Sequence, residues 1–333
     1  MGRNGSYNGE IGAGDEDDLG LNSRALEVAN ELIEGADWMQ AAVHEIAGAT
    51  IVDCGIDATG GIAAGHLLVE ACMADMGGAS IRMDRLAGRP CPIVEVQTES
   101  PVFACLLSQY AGWKVQEKKF FAMTSGPIRA LVGDEKLFET FEYSEHSDVA
   151  VAVMETSELP PASVVRKLAK SADVDPENLV VLAAPTASLC GSIQVVARSV
   201  ETCIHKLLHL EFDLRTIKES MGRAYLPPIP KDDLAAIGRT NDSILFGAEV
   251  MLWVDCDDAA IEEVGPKLPA SASKDYGRPF AEVFKNAGGD FYEIDPLLFS
   301  PALVFVNNLR TGSSFMFGKT DYDLLAESFY GAK

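Results

Sequence analysis

Residues 179–210 read LVVLAAPTASLCGSIQVVARSVETCIHKLLHL and join a short apolar run to a long helical pattern. The run Leu179 to Ala184 is typical of a strand that helices cover on both faces. Small and hydroxyl residues then supply a tight turn and a helix N-cap, with Ser188 and Ser192 as candidates. The segment therefore predicts an α/β fold in which a long helix starts just beyond a buried strand.

The predicted helix carries a narrow polar stripe. Successive helical residues lie about 100° apart, which places four side chains on one face: Gln194, Arg198, Glu201 and His205. An Arg-x-x-Glu pair is most often a solvated ion pair that adds a few tenths of a kcal/mol. Here the helix starts at the carboxyl end of a strand, where open α/β sheets bind ligands. Arg198 and Glu201 are therefore candidates for a functional pair as well as for a surface one.

The length of 333 residues exceeds the usual size of one hydrophobic core. We expect an α/β protein of two lobes, with mixed sheets flanked by helices and a cleft between the lobes. Residues 1–20 are rich in glycine and acidic side chains and predict a flexible tail. The first lobe is expected at 21–145 and the second at 146–333, and segments of the two can interleave.

The charge balance and the apolar runs exclude several kinds of partner. The chain has 27 Lys and Arg against 50 Asp and Glu, a net charge of -23, which disfavours nucleic acid as a partner. No apolar run is long enough to span a bilayer, and the first residues contain no apolar signal-peptide core. We therefore expect a cytoplasmic protein without a membrane partner.

Cysteine, histidine and glycine spacing gives no pattern of a metal or dinucleotide site. The seven cysteines are scattered without a C-x-x-C pair and predict reduced, packed thiols. His205 and His209 lie four residues apart but lack a further ligand at convincing spacing. The glycine-rich segment 57–65 lacks a full G-x-G-x-x-G. No metal and no nicotinamide cofactor is predicted.

A second strand-turn-helix junction follows Phe120 to Thr124, in the sequence SGPIRAL of residues 125–131. Ser125 or Gly126 can cap the helix, which is the ordinary interpretation of such a junction. Arg129 would then lie near the positive end of the helix, which is unfavourable unless the guanidinium meets an anion or a carboxylate. Arg129 is therefore a candidate for binding a ligand.

Three further patterns predict local structure. Residues 22–46 have a helical pattern with breaks at 35–36, and residues 303–317 predict a hairpin across Thr311 and Gly312. The sequence GRTND at 238–242, which includes Arg239 and Asn241, is a polar cluster within apolar sequence. Buried polar groups need partners, so this cluster either joins the lobes or contacts a substrate.

Six motifs taken together closely resemble methenyltetrahydromethanopterin cyclohydrolases: SQYAGW at 108–113, SGPIRAL at 125–131, APTASLCGSIQVVARSVETCIHK at 184–206, PPIPKDDLAAIGRTNDSILFG at 227–247, GDFYEIDPLLFSPA at 289–302 and NNLRTG at 307–312. The resemblance covers nearly the whole chain after the tail. It implies a cytoplasmic two-lobed α/β enzyme, usually a homotrimer, that needs neither cofactor nor metal. Such an enzyme interconverts the methenyl and N5-formyl forms of a tetrahydropterin one-carbon carrier, in methanogenesis or formaldehyde oxidation.

The resemblance also implies roles for individual residues. The catalytic Arg-x-x-Glu pair of the family falls on Arg198 and Glu201. A carboxylate at Glu201 can orient the attacking water and offset the cationic amidinium, and Arg198 can hold Glu201 in its ionised form. The groups expected to bind the tetrahydromethanopterin-type carrier are Ser125, Gly126, Arg129, Thr186, Ser188, Ser192, Gln194, Arg239 and Asn241.

Two alternatives to a cyclohydrolase remain at this stage. A differently reacting enzyme on the same carrier, such as a reductase, would need a nicotinamide or flavin site, which the glycine spacing does not support. A non-catalytic tetrahydropterin-binding paralogue would be expected to lose the carboxylate, whereas Glu201 is present.

Overall fold

A computed structural model describes residues 20–289 and 293–331 of the chain, so nearly all of the predicted tail at 1–20 lies outside the described residues. The strands are β1 (Ala42–Ile46), β2 (Ala49–Asp53), β3 (Gly78–Leu86), β4 (Arg89–Thr98), β5 (Trp113–Glu117), β6 (Phe120–Ser125), β7 (Ala150–Glu155), β8 (Leu179–Ala184), β9 (Ile217–Tyr225), β10 (Glu249–Val254), β11 (Leu303–Asn308) and β12 (Ser314–Gly318). They form two six-stranded sheets, and the predicted α/β class is confirmed.

Helices flank both sheets. The α-helices are α1 (Leu21–Glu34), α2 (Ile62–Cys72), α3 (Ile128–Val132), α4 (Lys136–Thr140), α5 (Ala162–Ser171), α6 (Leu189–Val196), α7 (Ser199–His209), α8 (Asp233–Asp242), α9 (Asp258–Val264), α10 (Phe280–Asn286) and α11 (Tyr322–Tyr330). Two π-helical segments occur at Val102–Gln109 and Ser243–Gly247. Within the described ranges, no helix is both long and apolar enough to cross a membrane.

Both sheets are mixed. The first has the order β1-β2-β8-β7-β6-β5, and β8 lies parallel to β2 on one side and to β7 on the other. The second has the order β12-β11-β10-β9-β4-β3, in which only β10 and β11 run parallel among the described strands. Each sheet takes strands from both sides of residue 145, because β3 and β4 belong to the second sheet while β7 and β8 belong to the first.

The largest hydrophobic core lies between the two sheets. It combines Val52 and Leu182 of the first sheet with Val250 and Val304 of the second. The central helices fill this layer, since Val200 and its neighbours along α6 and α7 belong to the same cluster. Burial on both faces explains why β8 has six buried residues and no polar alternation. The two sheets therefore enclose a helical layer, and other helices, such as α5, pack against the opposite face of the first sheet.

The predicted strand at Leu179 to Ala184 is confirmed, but the single long helix after it is wrong. The structure has two helices, because α6 ends at Val196 and the Arg198 amide then donates to the Val195 carbonyl, three residues back, before α7 begins at Ser199. Arg198 occupies the N-cap position of α7 with φ -84° and ψ 11°. Ser188 caps α6 as predicted, and its side chain accepts a hydrogen bond of 3.0 Å from the Gly191 amide.

Two other local predictions had different outcomes. The hairpin predicted at residues 303–317 is confirmed as the antiparallel pair β11 and β12. The helix predicted over 22–46 is wrong in its second half, where β1 pairs with β2. The chain turns at 35–40 after α1, and residues 42–46 then alternate in burial as an edge strand does.

Candidate active site

A cavity of about 450 Å³ brings together side chains from the first sheet, the central helices and α8. Its wall includes Tyr110, Glu155, Arg198, Glu201, His205 and Asn241, and we call it the main cavity. Residues 294–299 close another side through Ile294, Pro296 and Phe299. The cavity thus contains the two residues predicted to be catalytic, with carboxylates, one guanidinium and aromatic rings around them.

Arg198 and Glu201 form a nearly buried pair. Arg198 is 8% exposed and Glu201 is 5% exposed. The Arg198 Nη1 atom lies 3.6 Å from Glu201 Oε2. A solvated surface pair, which was the alternative for this Arg-x-x-Glu pattern, is therefore excluded by burial.

Hydrogen bonds hold the Arg198 guanidinium against the end of the π-helix at Val102–Gln109. Its Nη1 donates to the Gln109 carbonyl at 2.5 Å and its Nη2 donates to Ser125 Oγ at 3.1 Å. Carbonyls at a helical C-terminus lack intrahelical partners and carry partial negative charge, so they favour a cation. The helix break places Arg198 where it reaches these acceptors and Glu201 together.

Opposing effects act on the pKa of the Glu201 carboxyl group. Burial raises the pKa of its carboxyl above the usual value, while the positive charges of Arg198 and Arg129 and the Arg198 hydrogen bond lower it. Glu201 also lies in the first turn of α7, where the helix dipole favours an anion. A carboxylate placed beside a guanidinium and at a helix start is suited to accept a proton from water.

An aromatic wall adjoins this pair. The rings of Tyr110 and His205 stack at a centroid distance of 4.6 Å, and His209 meets His205 edge-on at 4.6 Å. Burial lowers the pKa of His205 to about 4, and His209 and Arg129 add to the shift. His205 is therefore neutral near pH 7 and offers a flat, uncharged surface for a planar ligand.

Glu155 is a cavity residue that the sequence patterns did not single out. It is the last residue of β7, and its Oε1 accepts a hydrogen bond from Thr186 Oγ1. Burial raises the pKa of Glu155, whereas the Thr186 hydrogen bond and Arg198 lower it. The signal available in the sequence was a single carboxylate directly at the carboxyl end of a buried run, which is where such sheets bind ligands.

The sequence matches one known family over almost its whole length. The profile of the family described as Cyclohydrolase (MCH) matches residues 20–329. The chain is 43% identical to the methenyltetrahydromethanopterin cyclohydrolase of Methylobacillus flagellatus over 93% of this chain and 95% of the relative. The protein of that name from Rhodopirellula baltica is 43% identical, with 93% and 94% covered. That from Methanospirillum hungatei is 42% identical, with 93% and 99% covered.

The chain belongs to the cyclohydrolase (MCH) family. The resemblance inferred from the six sequence motifs is thus confirmed. The family match spans both sheets and every residue that lines the main cavity. The cavity is accordingly a cavity of a cyclohydrolase-family fold, and its individual residues can be compared with those predicted for the site.

Of the predicted carrier-binding residues, Asn241 lines the main cavity, and Ser125, Thr186 and Arg129 contact residues that line it. Asn241 Nδ2 donates to the Ile237 carbonyl at 2.9 Å. Ser125 accepts from Arg198, as described above, and also contacts Cys72 Sγ at 3.4 Å. Thr186 Oγ1 donates a hydrogen bond to Glu155 Oε1. Hydroxyl groups thus lie directly behind the charged residues of the cavity.

Arg129 meets a carboxylate, as its position near a helix start required. Its Nε and Nη2 donate to the two carboxylate oxygens of Glu135, each at 2.7 Å. Its Nη1 donates to the carbonyls of Leu106 and Ser108 at 3.2 and 3.1 Å. Arg129 is fully buried and does not appear among the described residues of the cavity wall, but its guanidinium lies 5.2 Å from the ring centre of Tyr110, which lines the cavity.

The remaining predicted residues lie behind or beside the cavity. Ser192 Oγ donates to the Thr186 carbonyl at 2.8 Å, and Gln194 Nε2 contacts Cys72 Sγ at 3.4 Å. Gly126 adopts φ +90°, a conformation that favours glycine, and its amide donates to the Ser108 carbonyl. Arg239 Nη1 donates to the Pro228 carbonyl at 2.8 Å. Ser188 acts as the cap of α6.

Proposed function

We propose that this chain catalyses the reversible interconversion of the 5,10-methenyl and N5-formyl forms of a tetrahydromethanopterin-type one-carbon carrier. The observation that carries the proposal is the Arg198–Glu201 pair, nearly buried on the wall of a 450 Å³ cavity in a chain of the cyclohydrolase family. The family relatives described above carry the name methenyltetrahydromethanopterin cyclohydrolase.

The cavity chemistry suits a cationic substrate. The methenyl bridge is an amidinium cation, and two carboxylates, Glu155 and Glu201, line a cavity that contains one arginine. The Glu201 carboxylate attracts and orients such a cation in a poorly solvated site. Glu201 is the base that removes a proton from the water attacking the bridging carbon. Arg198 keeps Glu201 ionised and fixes its position.

The ring system of the carrier has matching surfaces. The stacked pair of Tyr110 and His205 offers a flat aromatic wall, and aromatic stacking contributes on the order of 1 kcal/mol beyond area burial. Asn241 supplies polar atoms on the cavity wall. The other predicted carrier-binding residues contribute by shaping the two strand-turn-helix junctions and α8 around the carrier. They are Ser125, Gly126, Arg129, Thr186, Ser188, Ser192, Gln194 and Arg239.

Cellular context forms part of the same proposal. We propose that the protein acts in the cytoplasm as a homotrimer, in methanogenesis or formaldehyde oxidation, without a cofactor or metal and without nucleic acid or membrane partners. Sedimentation velocity at micromolar protein tests the assembly directly. A monomer across that concentration range would overturn the trimer.

The decisive experiment follows the methenyl chromophore. Purified protein is mixed with the methenyl carrier, and the loss of its absorbance is recorded after exhaustive dialysis with a chelator and without nicotinamide. Retained turnover, with the N5-formyl product identified by mass spectrometry, supports the proposal. Turnover that strictly requires a metal or a nicotinamide would overturn the cofactor-free reaction, and binding without turnover would indicate a non-catalytic paralogue.

A further inference from the structure

Glu155 lies between two cavities. It lines the main cavity and also a smaller one of about 210 Å³, which contains Lys119, Thr186 and Asp233 and which we call the side cavity. One carboxyl oxygen, Oε1, is held by Thr186 Oγ1. Within the described residues, no hydrogen bond is recorded for the other oxygen, Oε2. The accessible part of Glu155 therefore faces these cavities.

We propose that Glu155 is a second catalytic residue, which donates a proton to the nitrogen that leaves the bridging carbon. The assignment rests on the proposed cyclohydrolase function. Hydrolysis of an amidinium needs both a base for water and an acid for the departing nitrogen. The main cavity contains two carboxyl groups among its described lining residues, Glu201 and Glu155.

The different surroundings of Glu201 and Glu155 indicate which carboxyl group acts as the base and which as the acid. Glu201 lies 3.6 Å from a guanidinium nitrogen and at the start of a helix, and both favour its anion. Glu155 makes no ion pair within 4.0 Å among the described residues and receives one hydroxyl hydrogen bond. Burial raises the pKa of Glu155, the Thr186 hydrogen bond and the Arg198 charge lower it, and the negative charge of Asp233 raises it further. Two carboxyls in unequal surroundings commonly serve as acid and base.

Other ionisable groups on the neighbouring elements line the same two cavities as Glu155. They are Tyr110 after the π-helix, Lys119 between β5 and β6, Glu158 after β7, Arg198, Glu201, His205 and His209 of the central helices, and Asp233 of α8. His205 does not compete as the acid, because its pKa is lowered to about 4 by burial and it carries no extra proton near pH 7. His209 is exposed at the far end of α7.

The two steps balance in atoms and charge. Water forms a C–O bond with the amidinium carbon, the C=N π electrons move to nitrogen, and one water proton passes to Glu201 and then to solvent. The hydroxyl of the adduct next gives its proton to Glu201 as the C=O bond forms. The C–N bond breaks, and its electron pair takes a proton from Glu155. Glu201 then passes this second proton to solvent and Glu155 regains one from solvent, so both groups return to their starting states and one proton is released for each water consumed.

The test compares Glu155→Gln with the wild type and with Glu158→Gln, an exposed carboxylate that lines only the side cavity. We expect Glu155→Gln to lower kcat by about 10²-fold or more, with KM within a few fold. Its kcat should also lose the fall at alkaline pH, because that fall reports deprotonation of the acid. Glu158→Gln should keep both the rate and the pH profile.

A second variant tests the same assignment with Glu155 intact. Thr186→Val removes the hydroxyl that lowers the pKa of Glu155, so the alkaline fall in kcat should move to higher pH. Three results would overturn the assignment while leaving the cyclohydrolase function in place. They are a wild-type kcat in Glu155→Gln, an unchanged alkaline fall of kcat in either variant, and an effect confined to KM. No turnover by the wild type would overturn both.

Discussion

Arg198 Nη1 and Glu201 Oε2 lie 3.6 Å apart across the start of a helix. Arg198 occupies the N-cap position of α7 and Glu201 its first turn, so the pair is not formed by two residues of one continuous helix. This arrangement lets the guanidinium point back to the Gln109 carbonyl while the carboxylate stays near the positive end of the α7 dipole. The break between α6 and α7 thus lets Arg198 contact the Gln109 carbonyl and Glu201 together.

Replacement of Glu201 by Gln should abolish most turnover while the fold persists. The change keeps the side-chain shape but removes the base, so kcat should fall by about 10² to 10⁴-fold. Loss of methenyl absorbance measures the rate, and a thermal melt checks folding. The matched control is Glu263→Gln, an exposed carboxylate on α9, which should retain activity. Wild-type turnover in Glu201→Gln would remove Glu201 from the mechanism.

Loss of the Arg198 charge should move the pH dependence of activity. The positive charge of Arg198 opposes the burial that raises the pKa of Glu201, so that pKa should rise further in Arg198→Gln. The acidic limb of the kcat profile should therefore shift to higher pH, and kcat at neutral pH should fall. Arg198→Lys keeps a charge and should shift the limb less. Coincident limbs in wild type and Arg198→Gln would contradict this role.

Arg129 should prove more important for stability than for carrier affinity. Arg129→Met strips donors from Glu135 and from two π-helix carbonyls, and breaking such a buried pair costs about 3–5 kcal/mol. Chemical denaturation measures the loss. The control is Arg82→Met, which breaks the pair with Glu95 at a 65% exposed side chain and should cost about 1 kcal/mol or less. A raised KM with unaltered stability would instead support direct binding by Arg129.

Asp242 should make the fold less stable as pH rises. Burial raises its pKa to about 6 from an ordinary 3.8, although Ser328 Oγ and the Phe280 amide donate to it. The folded state therefore binds the proton more tightly. Protonation of Asp242 stabilises the fold fully below about pH 4. This stabilisation is lost as the pH rises to about 6, by on the order of 1.4 kcal/mol per pH unit.

Asp242→Asn cannot ionise, so its free energy of unfolding should fall less than that of the wild type between pH 4 and 7. Denaturant midpoints at both pH values give the comparison, and the exposed Asp134→Asn serves as the control. Parallel curves for wild type and Asp242→Asn would show that Asp242 titrates normally in the fold.

The sequence predicted the parts of this fold that depend on local composition. The strand Leu179–Ala184 follows from its continuous apolar run, and the cap at Ser188 follows from the small residues after it. The polar stripe on the predicted helix also identified Arg198 and Glu201. Residues three apart in sequence stay adjacent even where a helix is interrupted at its N-cap.

The remaining features depend on contacts distant in sequence. The break at Arg198 is hidden because Val196 and Val200 continue one apolar face on both sides of it. The guanidinium partners that accompany the break come from residues 109 and 125, far along the chain. Glu155 was not predicted as a site residue, because the cavity at the end of β7 depends on how α7 and α8 pack there, which the sequence of the strand does not show.

The interleaving of the two sheets restricts how the enzyme can move. The chain passes from one sheet to the other in the connections β2 to β3, β4 to β5 and β8 to β9, so three covalent tethers join the sheets. A single linker would act as a hinge, whereas three separated tethers oppose a wide swing of one sheet against the other. We therefore expect the carrier to enter by local rearrangement at the rim, with little change in the spacing of the reacting groups.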